Sequence, residues 1–174
     1  MQHTLVALVE DKPGVLNRVS SLFRRRAFNI ESLTVGHTEK SGVSRMTIVV
    51  DSNQTNVEHV TAHLYKLVNV IQIKDLADQA QVTRDLALIK VAADPEHRSE
   101  IMQLVEVYRS RIVDVTNESL IIEITGDGTK IDSFVEVLRP FGILEMVRTG
   151  IVAMSRGASM QVNGNGHYSH NGSK

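Results

Sequence analysis

Apolar positions along this chain change their period several times, and each change predicts an element. Leu5-Val6-Ala7-Leu8-Val9 is an unbroken apolar run of strand length that ends at Glu10. The loop Asp11-Lys12-Pro13-Gly14 interrupts it, after which Val15, Val19, Leu22 and Phe23 recur at i, i+4, i+7 and i+8. That spacing lines one helical face and predicts a helix from about Val15 to Arg25. Pro13 suits a first helical turn because it has no N–H to leave unpaired. Arg24-Arg25-Arg26 close the helix with cations at the negative end of its dipole. Ile30 to His37 alternates, with Leu33 and Val35 on one face and Ile30, Ser32 and Thr34 on the other. After a turn at Glu39-Lys40-Ser41-Gly42, Met46, Ile48 and Val50 alternate with Thr47 and Val49 in the next strand. Thr55-x-x-Glu58 has the form of a capping box, Val57, Val60, Leu64 and Leu67 follow at helical spacing, and Val70-Ile71-Gln72-Ile73 opens a fourth strand.

The order over residues 3–77 is therefore β-α-β-β-α-β, the split βαβ of the ferredoxin-like plait. Residues 78–84, within the polar stretch from Leu76 to Arg84, have no clear period and are expected to be a linker. The plan then repeats over residues 85–157. Leu86 to Ala92 is an apolar strand, and Asp94-Pro95 caps a helix with Ile101, Leu104, Val105 and Tyr108 on one face. Two strands flank an Asn117-Glu118 turn, and Thr129 caps a helix with Ile131, Phe134, Val135 and Leu138 buried. Ile143 to Met154 closes the unit as one or two strands broken near Gly150. The expected fold class is α+β, two ferredoxin-like (βαββαβ) domains in tandem. Residues 158–174 are Gly, Asn and Ser with little to bury, and disorder is expected there.

Composition narrows the function classes. Of 174 residues 42% are apolar but only 4% aromatic, with no Trp, so the cores are expected to be aliphatic and there are few aromatics to stack nucleic-acid bases. A net charge of −1 gives no field that draws in DNA or an anionic membrane. Without Cys the chain has no disulfides, thiolate catalysis or cysteine zinc sites, which fits a reducing compartment. Met1-Gln2-His3-Thr4 runs straight into a strand pattern, so no signal peptide is expected, and no apolar run has the length of a bilayer span. A cytoplasmic location is the expectation.

The Gly14 loop is the main candidate site. A helix start presents unpaired N–H groups and a positive dipole end, which suit a carboxylate, and Gly14 allows close approach to the backbone. Asp11 and Asn29 offer oxygens for an ammonium group, and Leu16 and Val35 offer an apolar wall. Together these match a free aliphatic amino acid. The plainer reading, a tight strand-to-helix turn with Asp11 as a cap, stands beside it. The strand from Ile30 is an outer one in this plait and carries no guarding Lys or Pro at its centre. Pairing with the same strand of a second copy is expected, giving a homodimer.

Other features carry less. His59 and His63 sit at i, i+4 without a third ligand at metal-site spacing, so no metal is expected. Gly126-Asp127-Gly128-Thr129-Lys130 lacks the spacing and ending of a phosphate loop and reads as a capped turn. The Arg24-Arg25-Arg26 run is either a solvated helix end or a surface for an acidic partner. No Ser/His/Asp set or carboxylate pair is placed by position for catalysis.

Asp11-Lys12-Pro13-Gly14-Val15-Leu16, followed by Phe28-Asn29-Ile30-Glu31-Ser32-Leu33-Thr34-Val35, resembles the ACT domain of the small, regulatory subunit of acetohydroxyacid synthase (acetolactate synthase). Ser44 to Ile48, Lys66 to Val70, Leu86 to Val91, Ile112 to Val115, Thr125-Gly126 and Arg148-Thr149-Gly150 agree with it, so the likeness covers residues 3–157. The resemblance implies a chain with no active site of its own, belonging to branched-chain amino-acid biosynthesis. Such a chain activates a large catalytic subunit that holds thiamine diphosphate, Mg and FAD, and confers feedback inhibition by valine or another branched-chain amino acid. It also implies a ligand held where two ACT domains meet, at residue 11, Gly14, Asn29 and the backbone near Ile30. The full expected set is Asp11, Gly14, Val15, Leu16, Asn29, Ile30 and Val35. Some family members have Asn where this chain has Asp11. A carboxylate there either holds the ligand's ammonium or, if it lies near the ligand's own carboxylate, serves only as a cap. The rival readings are a stand-alone amino-acid sensor that regulates another enzyme, and a small plait enzyme.

Overall fold

A computed structural model describes residues 2–51 and 56–157. The first unit comprises β1 (Gln2–Glu10), α1 (Val15–Arg25), β2 (Ser32–His37), β3 (Val43–Asp51), α2 (Val57–Leu64) and β4 (Val70–Asp75). Its strands run in the order β2-β3-β1-β4, all neighbours antiparallel, with β2 at one edge. Both helices pack on one face. Val15, Val19, Leu22 and Phe23 of α1 and Val60 and Leu64 of α2 close over Leu5, Ala7, Val9, Met46, Ile48, Val50 and Ile73. α1 occupies the range its apolar spacing predicts, with Arg24 and Arg25 in its last turn. β2 begins two residues later than expected, because Ile30 tucks against this core on the way into the strand. Thr55 lies outside the described residues; the cap at the start of α2 is Asn56, whose side chain accepts from the His59 N–H at 3.1 Å.

The second unit repeats the plan with β5 (Gln81–Ala92), α3 (Arg98–Val107), β6 (Arg111–Val115), β7 (Ser119–Gly126), α4 (Gly128–Leu138), a short 3-10 turn at Arg139–Phe141, β8 (Ile143–Arg148) and β9 (Val152–Ser155). Its sheet runs β6-β7-β5-β8, and a second hydrophobic core, mostly aliphatic with Phe134 buried within it, lies beneath α3 and α4. Asp94 does cap the approach to α3, accepting from the N–H groups of Glu96 and His97 at 3.1 and 2.9 Å. At α4 the cap is Asp127 rather than Thr129: its carboxylate accepts from the Lys130 N–H at 2.8 Å, and the helix already begins at Gly128.

The expected linker is corrected as well. Gln81–Arg84 is the first third of the long strand β5 and pairs with β9 from Gln81↔Ser155 to Arg84↔Val152. This two-stranded ribbon meets the first sheet on the face away from its helices. Val6, Leu76 and Ala153 are buried together there with Ile151 packed against them, and Arg45 donates to the Ala153 carbonyl at 2.6 Å. The expected disordered stretch, 158–174, lies outside the described residues.

Candidate functional site

The chain turns sharply between β1 and α1. Gly14 sits at φ +85°, the left-handed region that an L side chain rarely adopts. The turn is held from behind. The Glu10 N–H donates to the Asn69 carbonyl and the Asp11 N–H to the Gly42 carbonyl, each at 2.8 Å. The Asn69 side chain donates to the Glu10 carboxylate at 2.6 Å and accepts from Arg18 at 3.1 Å. The bond from Asn69, then the ammonium of Lys12, hold the Glu10 carboxyl below its ordinary pKa. Sequence reasoning did not find this brace, because Asn69 lies on a turn 59 residues from Glu10.

The braced loop opens a helix start with capacity to spare. No side chain caps Gly14, and among the described residues no acceptor faces the N–H groups of Gly14, Leu16 or Asn17. Asp11 is not the cap; its carboxylate stands 3.2 Å from the His37 ring at the far end of β2. Leu16 and Val35 are 45% and 42% exposed, as a wall for a ligand requires. Val15 offers no side chain, since it is buried in the first core, and its N–H reaches the Lys12 carbonyl at 3.3 Å. Unpaired donors at a positive helix end, an exposed carboxylate and apolar neighbours are complementary to a zwitterion with an aliphatic branch.

Asn29 and Ile30 are elsewhere. Register places Ser32 level with Val49 and Thr4, and His37 level with Ser44 and Val9. The strand β2 thus leads from an Asn29 end to an Asp11 end. Thr4 and Glu10 are six positions apart on β1, about 20 Å at about 3.3 Å per residue. Asn29 is exposed and donates to the Glu31 side chain. One chain therefore does not gather the expected ligand set. Asp11, Gly14, Leu16 and Val35 lie toward one end of β2, and Asn29 and Ile30 lie beyond the other. The outer edge of β2 has no strand beside it among the described residues.

A second feature had no signature in spacing. Asp85, 3% exposed, is held by Arg148 at 2.7 Å and by the Thr149 hydroxyl at 3.2 Å, and Arg148 also reaches Asp132 at 2.6 Å. Burial works against the Arg148 charge, but Asp132 and Asp85 more than offset it and raise its pKa. This cluster fixes the Thr149-Gly150-Ile151 turn against β2. The Ile151 N–H donates to Ser32 Oγ at 3.1 Å, and a Cβ on Gly150 (φ +86°) would lie 2.5 Å from the same oxygen.

The remaining motifs resolve simply. Lys130 folds over Gly126 and donates to the Thr125 carbonyl at 2.9 Å, so the Gly126–Lys130 turn is occupied by its own side chains. Among the described residues no group of three or more His, Asp or Glu side chains converges as a metal site. None of the described helices is long and apolar enough to cross a membrane.

Two split-βαβ plaits in tandem, the first with a glycine turn at the start of its first helix, define an ACT-domain chain. Residues 5–72 match the AHAS small subunit-like ACT domain, and residues 84–157 match the small subunit of acetolactate synthase. A probable acetolactate synthase small subunit of Archaeoglobus fulgidus is 53% identical over 90% of this chain and 98% of its own length. The acetolactate synthase small subunit of Mycobacterium leprae is 52% identical over 89% of this chain and 92% of its own. The crystal structure of the small subunit from Thermotoga maritima superposes with a TM-score of 0.84 at 43% identity, covering 90% of this chain and 98% of that one. The chain belongs to the acetolactate synthase small-subunit family, the regulatory part of that enzyme.

Proposed function

We propose that this chain raises the turnover of a large catalytic subunit of acetolactate synthase and makes it sensitive to valine, which binds between the ACT domains of two copies. The observation that carries the reading is the split of the ligand set across the two ends of an unpaired edge strand. A two-fold axis through the middle of β2 sets the Ser32 end of one copy beside the His37 end of the other. Asn29 and Ile30 of one copy then approach Asp11 and Gly14 of the second, and two complete sites form from two half-sites. Carboxylate at the helix start, ammonium toward Asp11 and Asn29, and side chain against Leu16 and Val35 is the orientation the groups favour.

Inhibition follows by linkage. Valine stabilises one arrangement of the paired domains, and the catalytic subunit is inhibited to the extent that valine binds that arrangement more tightly than the other. Thiamine diphosphate, Mg and FAD belong to the large subunit in this reading, and no catalytic step is assigned to this chain. The test is to mix the chain with the large subunit of its own organism and titrate valine. The expected result is higher turnover on adding the chain and progressive loss of that turnover with valine. Turnover that responds to neither contradicts the proposal.

A further inference from the structure

The first plait has three broad surfaces, and two have occupants in the account above. The edge of β2 meets a second copy, and the face away from the helices is covered by the β5–β9 ribbon. Among the described residues nothing is packed over the helix face. On it, a cleft of about 350 Å³ lies between the end of α1 and the end of α2. Leu22 and Leu67 form an apolar floor, and Arg25, Arg26, His63 and Lys66 stand around it. Val68, next along the chain, is 86% exposed.

Among the described residues no carboxylate pairs with these cations. Elsewhere several basic side chains meet acids, Arg111 with Glu123, Arg139 with Glu136, Lys90 with Glu145, and Arg148 with Asp85 and Asp132, while Arg98 and Lys130 are held by backbone carbonyls. Here Arg25 donates to the Ser21 carbonyl at 3.3 Å. Among the described residues Arg24, Arg25, Arg26, His59, His63 and Lys66 form no ion pair. Burial first, and then the nearby positive charges of Arg26, Lys66 and His59, push the His63 pKa down. Helix dipoles account for cations at each helix end separately. They do not account for two such sets facing each other around an apolar floor, in a chain whose acids (20) outnumber its Lys and Arg (19). Converging like charges repel one another, and that cost is recovered only when something negative arrives.

We infer that this cleft is the docking site for an acidic segment of the catalytic large subunit, its carboxylates on Arg25, Arg26 and Lys66 and an apolar side chain on Leu22 and Leu67. The inference rests on the proposed regulatory role. Complementary charge of this kind sets encounter rate and salt dependence more than residence time.

The test uses the full chain and its large subunit, with affinity read from activation titrations at low and high salt. The variants are the triple reversal Arg25→Glu, Arg26→Glu, Lys66→Glu and the neutral triple Arg25→Gln, Arg26→Gln, Lys66→Gln. All three residues are exposed, and unchanged valine binding by calorimetry certifies the fold. The expected result is a wild-type affinity that falls with salt, a reversal variant weaker by about 30-fold or more at low salt, and a neutral variant between them with a flatter salt response. Equal affinity and equal salt response in all three proteins overturns the inference while leaving the regulatory role intact. So does a thermal shift with inorganic phosphate that the variants lose while large-subunit affinity stays put, which marks a small-anion site instead. If the wild-type chain neither binds nor activates the large subunit at any salt, the regulatory role itself fails.

Discussion

Replacing Gly14 separates the backbone role of the turn from its role as an anion seat. At φ +85° with no atom within 4 Å of a built Cβ, the position has room for a side chain but the wrong dihedral for most. Asp and Asn visit this region more readily than other non-Gly residues, so Gly14→Asn and Gly14→Asp should each cost about 1 kcal/mol. For a chain of this size that lowers Tm by about 2–4 °C. The two variants differ in charge alone. A carboxylate about 5 Å from the ligand's own carboxylate, at an effective dielectric constant of about 20, costs about 3 kcal/mol, a weakening of about 100-fold. Calorimetric titration with valine and thermal denaturation of both variants measure the two effects. The expected result is a shared small drop in Tm, with valine binding lost or weakened about 100-fold in Gly14→Asp and impaired far less in Gly14→Asn. Activation of the large subunit should persist in both. Wild-type valine affinity in Gly14→Asp, or the same loss in both variants, refutes the assignment of a carboxylate seat at this helix start.

Three further outcomes follow from the structure. Gly150→Ala meets both a positive φ and a Cβ 2.5 Å from Ser32 Oγ, so it should cost about 2 kcal/mol or more; made in a Ser32→Gly background, where the Ile151 N–H bond is already gone, the same substitution should cost less, as read by denaturant titration. Asp85→Ala leaves Arg148 with Asp132 alone and the Thr149 hydroxyl without its carboxylate, at a cost of about 1–3 kcal/mol after allowance for partial exposure. For Glu10 the folded pKa is depressed, so its contribution is complete above the ordinary Glu value, about 4.3, and is lost as pH falls through the lowered one. Glu10→Gln should therefore be less stable than wild type at pH 7, and the two Tm curves should converge below about pH 4; a constant gap at all pH values contradicts the brace.

How much of this was legible depended on the range of the interaction. α1 was legible to the residue, because Val15, Val19, Leu22 and Phe23 carry a helical period and bury as a unit. The cap of α4 was missed by two residues: Asp127 and Thr129 are both good caps, and only the backbone shows which has extended dihedrals. The strand at Gln81–Arg84 was missed because its pairing partners, Val152 to Ser155 of β9, arrive some seventy residues later, so local alternation had nothing to report. The glycine turn was visible as a candidate ligand seat. Its distance from Asn29 was not, since that distance follows from strand register across β1, β3 and β2. The Asp85–Arg148 pair joins residues 63 apart and carries no spacing signal at all.

The claim on which most depends is that each valine site is assembled from two chains, and complementation measures it most directly. Gly14→Asp damages the loop half of the site and Asn29→Ala the opposite half, so each homodimer should bind little or no valine. Co-expressed with two different tags and purified through both, the mixed dimer carries one doubly damaged site and one intact site. The account predicts one valine per mixed dimer at wild-type affinity by calorimetry. A mixed dimer that binds no valine would contradict it, because a site contained within one chain is broken in both.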